Sequence, residues 1–599
     1  MQKFDDNKNI KTYKDKAIFK RLLKYASRVK WMFILSLFFT AILVGVDLLP
    51  AFLEGELIGT LQDEALSNAY KMNFTLILLG GYAAIIVASC FLNYFNTMML
   101  QKAGQKIVLD IRKEVFVKIE GLAIAQINAT PVGKLVTRVT SDVNMVNELY
   151  TNVIVNLIRY LLTILFVLIM MLILSPILTA YILCVMPFLI AMTILFNKIS
   201  RKQYRKVRGS VSNMNAFLSE NLSGMKITQI FNQEEKKTLE FLKKNNELKK
   251  NNIKEVLIFG VFRPAIFVLY ILCHIIILYN GFYMVIEGKM LSKNLVKFYQ
   301  YNGQFFNPIQ QLADQFNQLQ SAFASAERIF EILDTKTQIL DKEDAIVLDH
   351  IEGKIEFDHV WFAYNDENWI LKDISFTIEP NQTVAFVGAT GAGKTTILAL
   401  IVRNYEIQKG SIRIDGIDVR DISLESLRKH IGQMLQDVFL FSGTIRSNIT
   451  MRDDRFTTEE VVNACKYVNA NHFIEKLDQG YEYEVLERGN NFSSGERQLL
   501  SFARTILHKP NIMILDEATA NIDTETEVLI QDSLEKMMNV GTMLIVAHRL
   551  STVQHADNII VLHKGKIMEM GNHQELLAKK GLYYHLYELQ YKHMADQEG

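Results

Sequence analysis

Apolar residues run over membrane-length stretches in the first half of this chain and break into short strand- and helix-length pieces in the second. Five segments, about Trp31–Phe52, Phe74–Phe95, Val153–Leu174, Ile177–Phe196 and Val256–Tyr279, are apolar over roughly 20 residues, the length that crosses a hydrocarbon core. A sixth, about Leu295–Leu319, carries two stripes. Phe298, Tyr301, Phe305, Ile309, Leu312, Phe316 and Leu319 recur at steps of three and four, and Gln300, Gln304, Asn307, Gln311, Gln315 and Gln318 recur at the same period. Such a helix turns one face to apolar neighbours and another to polar neighbours or water. The pattern predicts a six-span helical domain over residues 31–334.

Between the spans the helical pattern continues past membrane depth over Lys102–Glu120 and Tyr204–Gln233, predicting helices that project into water. Lysine and arginine crowd the N-terminus, 98–150 and 197–254, and are sparse in 56–71 and 280–293. The positive-inside rule then makes the N-terminus and both long loops cytoplasmic. With six spans the C-terminal half is cytoplasmic too, beneath the inner (cytoplasmic) membrane. Residues 1–30 hold no apolar core, so no cleavable signal peptide is expected. Within them Ile18, Leu22 and Tyr25, beside Phe19, Leu23 and Ala26, oppose Lys16, Lys20, Arg21 and Lys24. That is the pattern of a helix on the anionic inner leaflet, or of a solvated basic face. Residues 335–352 turn polar and acidic, as a linker does. From 353 to 599 strand-like and helical runs alternate, the texture of an α/β domain.

Composition agrees with a composite protein: half of the 599 residues are hydrophobic, and the mean hydropathy is only +0.12. A net charge of +1 offers nothing to nucleic acid. The four cysteines, Cys90, Cys184, Cys273 and Cys465, are scattered without disulfide or metal spacing.

The chemistry begins at Gly388-Ala389-Thr390-Gly391-Ala392-Gly393-Lys394-Thr395, a G-x-x-x-x-G-K-[ST] loop. It lies between a strand-like run, Thr383–Val387, and a helix start at Thr395-Thr396. Glycines let backbone N–H groups converge on phosphates, Lys394 reaches the β- and γ-phosphates, and Thr395 offers an oxygen to Mg²⁺. Ile512–Leu515 reads as a buried parallel strand ending in Asp516 and Glu517. At the carboxyl edge of such a sheet Asp516 would hold Mg²⁺ through water, and Glu517 would polarise the water attacking the γ-phosphate. A second strand, Thr542–Ala547, delivers His548 to the same edge.

Together these residues resemble the ATP-binding cassette family, from Val360 to about Leu582. Tyr364 resembles its adenine-stacking aromatic. Gln436 resembles the glutamine that senses Mg²⁺ and faces the membrane domain. Phe492-Ser493-Ser494-Gly495-Glu496-Arg497-Gln498 resembles the signature sequence, Ala520-Asn521-Ile522-Asp523 the D-loop, and His548 the switch histidine. Thr130–Val143 is similar to the first cytoplasmic loop of type I exporters, and Ser325–Phe330 to their exit from the sixth helix. The resemblance implies short coupling helices near Ala123–Pro131 and Asn221–Phe231. It also implies two subunits that sandwich ATP, the phosphate loop of one facing Ser493, Ser494, Gly495 and Glu496 of the other.

One chain supplies one of each, so a second half-transporter is expected. The usual signature is Leu-Ser-Gly-Gly-Gln; here Phe492, Ser494 and Glu496 depart from it while Glu517 is intact. That combination resembles the hydrolytic half of a heterodimeric bacterial multidrug exporter, with a homodimer as the alternative. The implied activity is ATP-driven efflux of small amphipathic compounds, drugs or membrane lipids. A peptide exporter, a homodimeric lipid flippase and an ATP-gated channel or sensor stay open. Gln300, Gln304 and Phe305 on the sixth span, and the intramembrane Asp47, are the candidates for the substrate pathway, with bonding between helices as the alternative for the amides. Arg159 and Arg263 are candidates for internal ion pairs.

Overall fold

Uninterrupted apolar runs fold into long helices because nothing in lipid but the helix itself satisfies the backbone. A computed structural model describes residues 15–365, 368–516, 524–546 and 553–595. The chain divides into two units, Lys11–Lys118 with Gly133–Asp334, and chiefly Ile119–Val132 with Thr335–Gly599. Its helices up to Asp334 are α1 (Asp15–Ser27), α2 (Lys30–Gln62), α3 (Asn68–Glu120), α4 (Ile124–Asn128), α5 (Val132–Leu174), α6 (Pro176–Ser223), α7 (Met225–Ile230), α8 (Glu234–Ile286) and α9 (Ser292–Asp334).

In the first unit α2, α3, α5, α6 and α8 are long and apolar enough to cross a membrane. The 43-residue α9 is not, because its amide stripe dilutes its hydropathy. At 53 residues, α3 and α8 extend about 80 Å at 1.5 Å per residue, well beyond a hydrocarbon core of about 30 Å. Ser175 starts α6 by accepting a hydrogen bond from the Leu178 amide, with Pro176 at the first helical position. The helix expected over Tyr204–Gln233 is interrupted at Gly224, after which α7 stands alone. Short helices thus form at both places where the resemblance implies them, α4 and α7.

α9 packs against α2 and α5, and α8 against α6. Phe298, Tyr301, Phe305 and Phe306 of α9 are buried with Val167, Met171, Cys273 and Ile277. The face of α1 expected to meet lipid is instead claimed by protein. Ile18, Leu22 and Tyr25 are buried, the Tyr150 hydroxyl donates to the Leu22 carbonyl at 2.6 Å, and Tyr25 stacks on Phe330. Phe19 and Leu23 stay exposed.

The second unit is built on a six-stranded sheet. Its strands are β1 (Ile355–Ala363), β2 (Trp369–Ile378), β3 (Thr383–Val387), β4 (Lys409–Ile414), β5 (Ile417–Asp418), β6 (Ile431–Met434), β7 (Gly443–Thr444), β8 (Glu484–Val485), β9 (Ile512–Asp516), β10 (Thr542–Val546), β11 (Asn558–His563) and β12 (Lys566–Gly571). The large sheet runs β12-β11-β3-β10-β9-β6, parallel except for β12; β2-β1-β4-β5 form an antiparallel sheet. Alternate residues of the central strands serve two cores. Val384, Phe386, Ile512 and Ile514 pack toward the antiparallel sheet, while Ala385, Met513 and Leu515 pack toward Leu499 and Phe502 of a helical layer.

Candidate functional site

The parallel strands end along one edge. Val546 is paired with both Phe386 and Asp516, and Leu515 with Met434, so the tips of β3, β6, β9 and β10 align. The glycine loop leaves β3 there and enters the helix α10 (Lys394–Ile401). Gly393 caps that helix at φ +107, where a Cβ would stand 2.6 Å from Leu371 Cδ2. Gly388 is equally constrained, since a Cβ would meet the Leu562 carbonyl oxygen at 2.2 Å. Side chains would therefore distort the loop backbone whose N–H groups the chemistry needs. Ala389, Thr390 and Gly391 form its exposed rim, whereas Ala392, Gly393 and Lys394 are buried.

Lys394 folds back over the loop, its Nζ donating to the carbonyls of Gly388 at 2.7 Å and Ala389 at 3.3 Å. Burial pushes its ammonium below the usual value, with the Asp516 carboxylate opposing that shift. Thr395 Oγ1 lies 3.5 Å from Asp516 Oδ1. Two oxygen donors so close, beside a loop of N–H groups, are a donor set suited to a hard divalent cation bridged to phosphate.

Thr396 turns the other way, and its hydroxyl lies 3.1 Å from the Tyr364 hydroxyl. The half-exposed Tyr364 ring is held edge-on by Phe362 and Tyr405, at centroid distances of 4.9 and 5.0 Å. Nothing in the sequence marked Tyr405; only stacking reveals it. Its hydroxyl also accepts from Asn128 of α4 at 3.4 Å, and α4 is tied further by the Gln126 amide donating to the Lys336 carbonyl. Gln436 is exposed on the loop that leaves β6.

The signature segment opens the helix α11 (Ser494–Leu507). Ser493 accepts from the Glu496 amide at 3.2 Å, and the Glu496 carboxylate accepts from the Ser493 amide at 2.7 Å, a reciprocal capping box. Phe492 is buried between Phe473 and Tyr483. Two departures from the usual signature thus have local structural roles. Gly495 is buried in the first turn. Glu517, Asp523 and His548 lie outside the described residues.

The substrate-pathway candidates are engaged with one another and with α2. Asp47 forms an ion pair with Arg159 at 2.8 Å, and Gln304 donates to the Asp47 carbonyl at 3.2 Å. Gln300 donates to Glu54 at 2.6 Å, and Phe305 is buried in the helical core. The outer amides of the α9 stripe therefore bond between helices.

Comparison with known proteins meets both units. Residues 33–309 match the ABC transporter transmembrane region, and residues 371–520 match the ABC transporter family. Similar proteins include the uncharacterized ABC transporter ATP-binding protein YknV of Bacillus subtilis, 37% identical over 95% of this chain and 94% of its own length. The "Probable multidrug resistance ABC transporter ATP-binding/permease protein YheH" of the same organism is 37% identical over 85% of this chain and 76% of its own. The ATP-dependent lipid A-core flippase of Syntrophus aciditrophicus is 34% identical over 84% of this chain and 83% of its own. Its strand-end phosphate loop and its long apolar helices have the same explanation: the chain belongs to the ABC transporters, as a multi-pass exporter half-transporter whose cytoplasmic domain hydrolyses ATP.

Proposed function

We propose that this half-transporter exports amphipathic compounds, drugs or lipids, by alternating access, and that it works beside a second, non-identical half-transporter. The observation that carries the reading is the strand-end cluster of Lys394, Thr395 and Asp516 on the same chain as a bundle of long apolar helices. Relatives named for multidrug resistance and for lipid flipping support the substrate class.

In this reading residues 31–334 move the substrate and residues 353–599 bind nucleotide. Tyr364 stacks on adenine, backbone amides from Gly388 to Gly393 cradle phosphate, and Lys394 leaves the loop carbonyls to bind the β- and γ-phosphates. Mg²⁺, when bound, would screen charge on the phosphates; Thr395, Gln436 and Asp516 are the residues that would hold it, Asp516 through water. Glu517 orients and deprotonates the attacking water, and His548 supports the γ-phosphate. Ser493, Ser494 and Gly495 face nucleotide held by the partner, as Asp523 faces the partner domain. Closing the sandwich is favoured because each nucleotide then meets both domains, the differential affinity a switch requires.

The heterodimer reading is supported by charge. Glu496 places a carboxylate at the mouth of α11, where the family carries a neutral glutamine and where nucleotide on the partner would bring more negative charge. A weakened second site results, and hydrolysis is left to the site holding Glu517. Recovery of the singly tagged chain from its host with only copies of itself, at full ATPase activity, would reject this pairing. Substrate-stimulated ATPase coupled to uphill uptake into inside-out vesicles separates a pump from an ATP-gated channel, which would pass solute only downhill.

A further inference from the structure

The amide stripe on α9 has two fates. Its outer members, Gln300 and Gln304, are consumed by α2. Farther along, the side chains of Asn307 and Gln311, with that of the neighbouring Gln310, have no hydrogen-bond partner among the described residues and line a cavity of about 790 Å³ between α6, α8 and α9. Each of these three helices carries an interior proline, Pro187, Pro264 and Pro308, which removes a backbone donor and loosens the local ladder. Phe196, Phe259 and Phe262 supply an aromatic wall, with Phe196 and Phe262 stacked at 3.7 Å.

Arg263 and Asp314 line the same cavity, and neither has an ion-pair or hydrogen-bond partner among the described residues. They are not paired with each other. Arg263 lies about 10 Å and Asp314 about 8 Å inside the cytoplasmic ends of their segments, at 1.5 Å per residue. Charges at that depth are costly unless they face water or a ligand.

We propose that this cavity binds a zwitterionic amphiphile, its anionic group on Arg263 and its ammonium on Asp314 and the aromatic wall. The inference rests on the amphiphile-export reading and names its substrate class. A guanidinium grips phosphate or carboxylate through parallel hydrogen bonds, and aromatic faces attract an ammonium. A purely cationic ligand leaves Arg263 unpaired and facing its own charge; a purely anionic one meets Asp314 in the same way. The volume suits a headgroup with the start of an acyl chain.

The test compares ATPase stimulation of the reconstituted full transporter by three dodecyl probes: a phosphocholine, a trimethylammonium and a sulfate. In the unaltered protein the phosphocholine acts at the lowest concentration. Arg263→Gln raises its half-stimulating concentration about tenfold, the loss of one charge-assisted hydrogen bond, and moves the ranking toward the trimethylammonium probe. Asp314→Asn moves it toward the sulfate. Each protein's ranking of the three probes is its own reference, so a general loss of activity does not imitate the result. Translocation of a labelled phosphatidylcholine as well would name the bilayer as the source; stimulation by the dodecyl probe alone would name a free amphiphile. Probes that stimulate and are exported with a ranking untouched by either substitution overturn the proposal and leave the export reading standing. If no amphiphile stimulates or moves, both fall.

Discussion

Arg328 clasps Asp142 with two parallel hydrogen bonds, its Nε donating to Oδ2 at 3.0 Å and a terminal nitrogen donating to Oδ1. The carboxylate is almost wholly buried and accepts a further bond from Arg138 at 2.9 Å, while Arg328 also donates to Ser325 at 2.8 Å. The pair joins the π-helical turn Arg138–Asp142 to the cytoplasmic end of α9. It connects two stretches, Thr130–Val143 and Ser325–Phe330, that stand far apart in the chain.

Removing Arg328 leaves the buried Asp142 carboxylate with Arg138 as its remaining ionic partner. Arg328→Ala is expected to cost about 2 kcal/mol, below the figure for a fully buried pair because the guanidinium is partly exposed. Arg328→Lys restores little of it, since an ammonium cannot reproduce two parallel bonds. Thermal unfolding in detergent measures both variants. An alanine variant as stable as the parent would show that the pair contributes nothing net.

The signature departure at Glu496 makes a second prediction, because charge and capping can be separated there. Glutamine accepts from the Ser493 amide as a carboxylate does, so Glu496→Gln should change stability by less than about 0.5 kcal/mol, whereas Glu496→Ala removes half of the box and costs about 1 kcal/mol. If the carboxylate repels nucleotide on the partner, both variants raise ATP affinity at the weaker site, and only the glutamine variant does so with the cap retained. Equal nucleotide binding by Glu496→Gln and the parent would dismiss the electrostatic account while leaving the cap intact.

How far the residues announced this architecture depends on what holds each part together. The phosphate loop and strands β3 and β9 were legible because glycine geometry and two-sided burial constrain short, contiguous stretches. The lipid-length runs were legible for the same local reason. Side-chain partnerships were not. Arg159 was a candidate for some ion pair, and nothing in its neighbourhood named Asp47 on another helix. The apolar face of α1 is legible as a face, but nothing near it in sequence names Tyr150 and Phe330 as the residues that meet it. The glutamine stripe gave the period of α9 but could not say that its two ends meet different neighbours.

The metal-binding edge supplies a third prediction. Thr395 Oγ1 and Asp516 Oδ1 lie within 3.5 Å of each other, so the proposed direct and outer-shell oxygens for Mg²⁺ are already assembled. Asp516→Asn keeps the shape and removes the charge, and the Mg²⁺ concentration for half-maximal ATPase should rise about tenfold or more. Lys394→Ala, by contrast, should weaken nucleotide binding with little change in the metal requirement. A Mg²⁺ titration of the Asp516→Asn variant that overlays the parent would remove Asp516 from the metal's surroundings.

Tyr405 offers the most discriminating experiment, because its ring and its hydroxyl do different things. The ring packs edge-on against Tyr364 at 5.0 Å and Phe362 at 5.7 Å, which fixes the aromatic proposed to stack on adenine. The hydroxyl accepts from Asn128, on the short helix α4 that the family resemblance links to coupling. Tyr405→Phe retains the ring, so the KM for ATP should hold, but the link to α4 is lost. A neutral hydrogen bond is worth about 1 kcal/mol, so stimulation of ATPase by transported compounds should weaken up to about fivefold. Tyr405→Ala should raise the KM as well, because Tyr364 loses its support. Asn128→Ala should reproduce the phenylalanine variant, and combining the two should add nothing further, as expected when both remove one interaction. Full additivity of Asn128→Ala and Tyr405→Phe would mean that the two residues act separately and that the hydroxyl carries no signal between α4 and the nucleotide.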